Sequence, residues 1–437
     1  MPVPPHRRRA ASVAIAVLVT AAVVLSTGAF VLANASDGAA DPETAARTFV
    51  EAAAARDGRG LLAASLPSER DAILAHLPGI LEQAQRLGLV GPIDLGAAAS
   101  ADVSARDLRT ESQRVDVDTF RVTVNGGHLQ GTWSEEGLPI SPELRRFVVD
   151  DLGLDPPVPG ESFDVDLAQH PLVLMSVREL GGWHVSLYET VAEHWRVAAA
   201  APETSFGRGP VATGADTPEA VVSDLFEAGA NLDAGRAVAL AYPPEMRALY
   251  DYAPLFLPAS RRDARKAAED DGFSLTIHDL GLEATGEGRE RTVRVTRASA
   301  TWGAGDQWVR MRYADGCATY EYAPTATADA TRTERRCDGD VSAPSAETAA
   351  APFRQVSAFS ELGRIFPTFV VLERSGRWFL SPTRTLLGTL EEILTGLHPD
   401  QAGDLLDRLG EVWQVYRPEA DEAGSTSPLA ALGATPR

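Results

Sequence analysis

Apolar and polar positions follow one pattern at two places in the chain. Residues 181–190 and 376–385 both fit Gly-x-Trp-x-x-Ser-x-x-x-Thr. A glycine turn followed by alternating apolar residues predicts a short strand, and the serine then predicts the N-cap of a helix. The repeated motif pairs each residue of the first copy with one of the second: Trp183 with Trp378, Ser186 with Ser381, and Thr190 with Thr385.

The two serines are expected to act as caps rather than as nucleophiles. Ser186 and Glu189 have the spacing of a capping box, whereas Ser381 is followed by Pro382 at the first helical position. Aspartate would preserve a simple cap, because its side chain also accepts a backbone N–H.

A second repeat lies upstream, where apolar residues recur at helical spacing after a Pro-Glu pair. Residues 42–81 and 218–257 align without a gap, and 12 of these 40 positions are identical. Only four identities are alanines, so shared alanine richness does not explain the match. The repeat indicates an internal duplication. The eight other matched positions of the first copy are Pro42, Glu43, Glu51, Asp57, Pro67, Glu69, Pro78 and Leu81.

The segments between these repeats have the residue pattern of β-strands. In the first copy, apolar residues from Val115 to Val124 lead to residues 125–127, Asn-Gly-Gly, which predict a hairpin turn with a returning strand over 129–133. In the second copy, strands over 292–302 and 308–313 flank a glycine-rich turn. Further strands are expected at 171–177 and 369–373. Helices gathered before an antiparallel sheet predict an α+β domain in each copy.

The second copy is longer than the first by 19 residues in its middle, and 19 residues lie strictly between Cys317 and Cys337. We therefore expect residues 317–337 to be an inserted loop that is closed at its base by a disulfide. A bond between two such cysteines is expected in an exported protein, whereas a cytosolic protein would keep reduced thiols.

The N-terminal segment predicts the cellular location of the protein. Residues 1–9 include Arg7, Arg8 and Arg9, and residues 10–33 carry no charge. About 20 apolar residues span a bilayer, and arginines stay on the cytoplasmic side. We expect a transmembrane helix over 10–33 with the rest of the chain outside. The alternative is a cleavable signal with a site near Ala35, which would give a secreted protein.

The remaining segments complete the expected organisation. A linker over 34–40 precedes copy one at 41–196, a linker over 197–215 separates the copies, and copy two covers 216–397. An amphipathic helix is expected over 398–417 and a disordered tail over 418–437. The formal net charge of −21 disfavours nucleic acid as a partner, because an acidic body repels phosphate backbones.

No set of residues predicts catalysis, a metal or a cofactor. His184 and Ser186 share a strand face, but Phe379 stands opposite His184 in copy two, which favours packing. Glu189, Glu193 and His194, with His170 nearby, are too few converging ligands, and we interpret the two glutamates as a solvated helix face. Aromatic residues in copy two predict core packing, with a small apolar ligand at a pocket mouth as the alternative; these are Tyr242, Tyr250, Tyr252, Phe256 and Phe273.

An opening Pro-Glu helix, antiparallel strands and a terminal Gly-x-Trp-x-x-Ser strand resemble the extracytoplasmic NTF2-like (cystatin-like) domains. Actinobacteria fix many of these domains to the membrane by one N-terminal helix. The resemblance implies a transmembrane helix followed by two tandem domains, each a helix packed on a curved antiparallel sheet.

The resemblance leaves function open, because members include isomerases, dehydratases and cyclases with a conical pocket as well as modules that only bind or scaffold. We expect a non-enzymatic envelope protein that binds a partner protein. The alternatives are an NTF2-like enzyme acting on an apolar small molecule, and an accessory subunit of an Mce-like lipid importer or a secretion complex.

Overall fold

A computed structural model describes residues 38–55, 57–91, 102–132, 140–148, 162–270, 272–304, 307–322, 331–339 and 365–416. The chain divides into two compact units. Unit 1 comprises Met1–Phe206 and His398–Arg437, and unit 2 comprises Gly207–Leu397. The C-terminal helix thus belongs to the unit that holds the first copy.

In its described residues, unit 1 has four helices before its strands, one short helix between them and two helices after them. Its helices are α1 (Pro42–Ala55), α2 (Gly58–Ala64), α3 (Pro67–Leu74), α4 (Leu77–Arg86), α5 (Pro142–Arg146), α6 (Leu187–Ala198) and the C-terminal α11 (Ala402–Tyr416). Its strands are β1 (Asp102–Asp116), β2 (Thr119–Thr132), β3 (Ser162–Asp166), β4 (Leu172–Glu179) and β5 (Gly182–Ser186).

The described part of unit 2 also places helices before and after its strands, and it has two more strands than unit 1. Its helices are α7 (Pro218–Ala230), α8 (Ala234–Leu240), α9 (Arg247–Glu269) and α10 (Pro382–Gly396). Its strands are β6 (Ser274–Thr285), β7 (Glu290–Ala304), β8 (Gln307–Ala314), β9 (Cys317–Tyr322), β10 (Arg332–Cys337), β11 (Phe369–Arg374) and β12 (Arg377–Leu380). The fold is α+β with two antiparallel sheets.

The two sheets share a five-stranded plan. In unit 1 the strand order is β1-β2-β4-β5, with β3 paired to the far half of β2. In unit 2 the equivalent order is β6-β7-β11-β12, with β8 paired to the far half of β7. The segment between the cysteines is not a loop but the hairpin β9–β10, which continues the unit 2 sheet beyond β8.

Backbone bridges between distant segments recur at the offsets of the sequence repeats. Ala39 bridges Trp183 in unit 1, and Ala215 bridges Trp378 in unit 2. Leu66 N donates to the carbonyl of Val185 at 2.8 Å, and Tyr242 N donates to Leu380 O at 2.6 Å. Equivalent pairs of this kind require the same fold in both copies, so the duplication seen in the sequence is a structural one.

The turn predicted at residues 125–127 is wrong. The strand β2 runs through Gly126 and Gly127, and the chain reverses instead between Asp116 and Thr119. Gly127 has φ +96° and lies opposite a register shift in β1, where a Cβ would come within 2.4 Å of the Arg106 carbonyl oxygen. Glycine inside a strand here marks a bulge and a close backbone approach rather than a hairpin.

The opening helix of each unit packs on one face of its sheet. In unit 1 the apolar side chains of α1, including the fully buried Phe49, meet those of β2 and β4. In unit 2 the side chains of α7 meet those of β7 and β11. The core residues of unit 1 include Ala46, Val50, Leu61, Val122, Val124, Leu174 and Val185, and those of unit 2 include Val221, Val222, Val293, Trp302, Met311, Phe369 and Val371.

The expected transmembrane segment at 10–33 lies outside the described residues. Among the helices that the structure does describe, none has the length and apolar character needed to cross a membrane.

Candidate functional site

The repeated motif forms the junction between the last strand and the closing helix of each unit. Ser186 ends β5, and its Oγ accepts the N–H of Glu189 at 3.0 Å, so it caps α6. Ser381 holds the same place before α10, where its Oγ accepts the N–H of Arg384 at 3.3 Å. Both interactions are the helix caps that the sequence predicts.

The motif threonines tie each closing helix to the neighbouring strand. Thr190 Oγ1 accepts the N–H of Met175 at 3.0 Å. Thr385 Oγ1 accepts the N–H of Val370 at 2.9 Å. The threonine therefore satisfies a backbone donor of β4 or β11, which explains why both motifs carry it.

A buried glutamate from an earlier segment completes each junction. Glu69, on α3, accepts the O–H of Ser186 at 2.5 Å and the N–H of Leu187 at 2.7 Å, with Tyr188 N at 3.3 Å. These backbone groups are the first N–H donors of α6, which have no partner within the helix. Glu69 thus acts as a second cap, supplied by a residue more than one hundred positions upstream.

Unit 2 repeats the arrangement with Glu245, which precedes α9. Glu245 accepts the O–H of Ser381, and its Oε1 accepts the N–H of Thr383 at 2.8 Å. Glu245 is the counterpart of Glu69 in the ungapped sequence repeat, and both side chains are fully buried. The same three-part junction of serine, glutamate and helix N-terminus is therefore built twice.

Burial dominates the electrostatics of both glutamates. Removal from water raises the pKa of Glu69 to about 8, although its hydrogen bonds with Ser186, Leu187 and Tyr188 favour the charged form. Burial also raises the pKa of Glu245, opposed by its bonds to Ser381 and Thr383. A buried carboxyl group that accepts hydrogen bonds from the N-terminus of a helix holds that helix to the segment that carries the carboxyl group.

The tryptophans of the motif lie at equivalent positions, but both are half-buried rather than fully within a core. Phe120 meets the Trp183 ring edge-on, with ring centroids 5.2 Å apart. In unit 2 the guanidinium of Arg291 lies 5.5 Å from the centroid of the Trp378 ring. Each indole therefore packs against a side chain of the strand two places away in the sheet.

His184 has a structural environment. Its ring is almost fully buried, its Nδ1 lies 3.3 Å from the carbonyl oxygen of Ala63, and burial lowers its pKa. The hydroxyl of Ser186 is directed to Glu69 instead of to this imidazole. Phe379, the counterpart of His184 in unit 2, is also buried, which agrees with packing as the role of both side chains.

The interpretation of Glu189 and Glu193 as a solvated face is wrong, because both side chains are buried. Glu193 Oε1 lies 2.8 Å from Arg121 Nε and 2.7 Å from Arg196 Nη2. Glu203 pairs with the same two arginines at 2.7 and 3.3 Å. Opposite charges alternate through four side chains, so the carboxylate of Glu193 is neutralised without contact with solvent.

His194, one of the residues weighed as a metal ligand, has a backbone partner instead. His194 Nε2 lies 3.0 Å from the carbonyl oxygen of Val173, and burial lowers the pKa of this imidazole. Nowhere in the described ranges do three or more His, Cys, Asp or Glu side chains form a group that could hold a metal ion.

Cys317 and Cys337 form the expected disulfide, and they face each other at the open end of the β9–β10 hairpin. Asp338, the next residue, accepts the O–H of Tyr313 at 2.9 Å and the N–H of Ile365 at 3.0 Å. The bond and these contacts hold the base of the hairpin to β8 and to the segment that leads back into the sheet.

An open depression of about 500 Å³ lies in unit 1, between the end of α4 and the start of α5. It is lined by Gln85, Gly88, Val90, Gly91, Ile140, Ser141 and Pro142. None of these residues carries an acid, an imidazole or a phenol. Two of the tyrosines considered for a ligand in unit 2 are otherwise engaged: Tyr252 is buried, and Tyr250 donates its O–H to the carbonyl of Ala241 at 2.6 Å.

Sequence reasoning missed Glu69 and Glu245 as functional partners of the two serines. The signal was present, because Glu69 and Glu245 are matched acids in the ungapped repeat. No local pattern connects them to Ser186 or Ser381, however.

In comparisons with known proteins, no protein-family model, no curated protein and no solved structure matches this chain.

Proposed function

We propose that the protein is a non-enzymatic, membrane-anchored protein of the cell envelope, whose two extracytoplasmic domains bind a partner protein or shape a complex. The observation that carries this proposal is that the buried carboxyl groups of both units are occupied by structural hydrogen bonds. Glu69 receives the hydroxyl of Ser186 and the first N–H groups of α6, and Glu245 receives the hydroxyl of Ser381 and the first N–H group of α10. Groups committed in this way stabilise a domain and are not positioned to exchange protons with a substrate.

The filled interior of each unit supports the same proposal. A conical pocket of the isomerase type would lie between the opening helix and the sheet. In the described residues this space holds packed apolar side chains, among them Phe49 and Leu61 in unit 1 and Val222 and Val371 in unit 2. An enzyme would need an open cavity with a buried acid, base or phenol.

The proposed membrane anchor and extracytoplasmic location rest on the resemblance to NTF2-like extracytoplasmic domains and on the uncharged residues 10–33 after three arginines. The disulfide between Cys317 and Cys337 supports an oxidising compartment. A lipid importer of the Mce type or a secretion complex is one setting in which an anchored protein of this plan would act.

Site-specific photo-crosslinking in the native host tests the proposal. Leu180 and Ser375 occupy the same turn of the two units, before β5 and β12, and Leu180 is 85% exposed. A photoreactive residue at each position, introduced separately, should yield a discrete adduct with the same protein in repeated experiments. A bound partner should favour one of the two positions, because the units differ in their surfaces. Absence of any discrete adduct at these positions and at the exposed Val117 and Val211 would contradict the proposal.

A further inference from the structure

The face of the unit 2 sheet that points away from α7 carries exposed arginines. Along β8, Val309, Met311 and Tyr313 point into the core, whereas Arg310 and Arg312 alternate with them and are 45% and 64% exposed. Arg297 on β7 is on the same side of the sheet and is equally open to solvent. The alternation of β8 thus separates an apolar inner face from a basic outer face.

The additional hairpin extends this outer face. Thr319 on β9 lies opposite Arg312 on one side and Arg335 of β10 on the other. Arg335 therefore lies two strand spacings, about 10 Å, from Arg312 in the same row. We refer to Arg297, Arg310, Arg312 and Arg335 together as the arginine face.

The arginine face has more positive than negative charge. Glu321 is shared between Arg310 at 3.3 Å and Arg312 at 3.7 Å, and Asp279 pairs with Arg297 at 2.8 Å. Arg335 is exposed and makes no ion pair or hydrogen bond with another described side chain. Four guanidinium groups thus stand against two carboxylates, in a chain whose net charge is −21.

The described part of unit 1 has no such face. Its strand β3 corresponds to β8, and the register of the two sheets places Asp164 opposite Gln130 and Asp166 opposite His128. These aspartates occupy the places of Arg310 and Arg312, which lie opposite Thr301 and Ser299. The duplicated positions therefore carry opposite charge, and the hairpin that widens the face occurs in unit 2.

We propose that the arginine face binds an acidic segment of a partner protein, in which aspartate or glutamate side chains pair with the guanidinium groups. This inference rests on the proposed function and names the surface and the chemistry of its partner. Glu321 already shows that one carboxylate fits between Arg310 and Arg312. Arginine presents donors in a fork that matches a carboxylate, and Trp308, whose ring lies 5.5 Å from the Arg310 guanidinium, stiffens that side chain.

The net charge favours a short acidic segment over an extended polyanion. A nucleic acid or an anionic membrane surface would also meet the acidic remainder of the chain and be repelled by it. A short segment on the arginine face senses mainly the charges within a Debye length, about 8 Å at physiological ionic strength. Local attraction can therefore exceed the repulsion from more distant carboxylates.

Fluorescence anisotropy on the purified full chain tests the proposal. The probe is a labelled peptide of about eight glutamates, which spans about 26 Å when extended. We expect binding that weakens between about 50 mM and about 300 mM salt, because exposed ion pairs are screened. Arg310→Glu together with Arg312→Glu should weaken binding at least about tenfold, since like charges would then face the peptide. Arg310→Gln with Arg312→Gln should weaken it by an intermediate factor.

The matched control is Arg262→Glu with Arg265→Glu on α9. Both residues are exposed and have no ion pair in the part of the chain that the structure describes, and the change in net charge is the same. We expect peptide binding by this variant to stay within about twofold of the unmodified chain. Equal losses in both variants, or no binding by the unmodified chain, would overturn the proposal.

Two other results would also decide against it. Tighter binding of anionic phospholipid vesicles through the same arginines would assign the face to phosphate rather than to carboxylates. If a photo-crosslinked partner is recovered equally from the Arg310→Glu/Arg312→Glu variant, the arginine face is not its binding surface, although the proposed binding function stands. Loss of that adduct in this variant but not in the α9 control would support the proposal.

Discussion

Ser186 Oγ donates a hydrogen bond to Glu69 Oε1 at 2.5 Å while it accepts the N–H of Glu189 at 3.0 Å. One hydroxyl thus joins three segments: the end of β5, the start of α6 and the helix α3. The predicted capping box assigned the reciprocal carboxylate to Glu189. In the structure, the carboxylate that receives the first N–H groups of α6 is that of Glu69.

The free energies of unfolding of Ser186 variants should therefore follow an order that a simple cap does not predict. Ser186→Ala removes the cap and should lower the free energy of unfolding by about 0.5–2 kcal/mol. Ser186→Asp should cost more than alanine above about pH 8, where Glu69 has lost its proton, because two carboxylates would then face each other. Urea unfolding monitored by fluorescence measures both. If Ser186→Asp is more stable than Ser186→Ala in this pH range, then Glu69 does not determine which side chains are tolerated at residue 186.

The double variant Glu69→Gln/Ser186→Asp provides the control. Glutamine has no charge, so the penalty of aspartate over alanine should shrink in this background. The pair Glu245→Gln and Ser381→Asp should behave in the same way in unit 2, since the junction is repeated there. Independent effects of the two changes in either unit would contradict direct contact between the serine and the glutamate.

Stability should depend on pH through Glu69. Its pKa is about 8 in the folded protein and about 4.5 in the unfolded chain, so the folded state retains a proton that the unfolded state releases between these values. Its contribution is fully present below about pH 4.5 and is lost as the pH rises through about 8. The slope from this group is at most about 1.4 kcal/mol per pH unit.

Thermal melts at pH 6 to 9 of the unmodified chain and of Glu69→Gln measure this dependence as the difference between the two proteins. The unmodified chain should lose stability relative to the variant as the pH rises. Glu245→Gln should show the same direction, because burial also raises the pKa of Glu245. A difference that does not change with pH would mean that the folded protein binds no additional proton at Glu69.

Local patterns in the sequence predicted the parts of the site that are close in sequence. The caps at Ser186 and Ser381 and the turns before them follow from neighbouring residues, and the duplication follows from matched prolines and acids. The partnership of Glu69 with Ser186 crosses 117 positions and has no local signal. The burial of Glu193 was missed for the same reason, because its partner Arg121 lies on a strand far upstream.

The turn at Asn125-Gly126-Gly127 was mispredicted because glycine permits two different structures. A hairpin turn and a strand bulge both use positive φ, and only the partner strand distinguishes them. Here β1 shifts register opposite Gly127, which no pattern near residue 127 reveals. The turn predicted in unit 2 is confirmed as far as the described residues reach, because β7 and β8 pair up to Ala304 and Gln307 on either side of residues 305–306.

Removal of the disulfide should destabilise the hairpin of unit 2. Cys317→Ser with Cys337→Ser releases a closed loop of about 20 residues, which corresponds to about 3 kcal/mol in the chain-entropy model. Hydrogen exchange should accelerate in β9 and β10 and change little in β4 and β5 of unit 1. Thiol alkylation without reductant, read by mass spectrometry on protein from the native host, should find both cysteines blocked. Free thiols there would contradict an oxidised pair.

Neutralising Glu193 should destabilise unit 1 through its arginines. Glu193→Gln leaves Arg121 and Arg196 near one another in a buried site with one carboxylate fewer, and loss of one partner of a buried ion pair costs about 3–5 kcal/mol. The double variant Arg121→Gln/Glu193→Gln should cost less than the sum of the single changes, as coupled neighbours do. Chemical denaturation of the four proteins gives the coupling energy, and additivity within about 0.5 kcal/mol would refute the network.

The turn before β5 should be open to stabilisation, because Leu180 adopts the left-handed conformation with φ 51° and is 85% exposed. This region costs an ordinary L residue about 1–2 kcal/mol, and asparagine tolerates it better. Leu180→Asn should therefore raise the free energy of unfolding by about 0.5–1 kcal/mol, whereas Leu180→Val should lower it, since a β-branched residue is poorly accommodated there. Ser375, with φ 54° in the same turn of unit 2, provides the matched site. Ser375→Asn should stabilise by less than Leu180→Asn, because replacing leucine also removes an exposed apolar side chain. Urea midpoints of the three variants decide the matter, and a loss of stability on Leu180→Asn would mean that the leucine side chain makes a stabilising contact of its own.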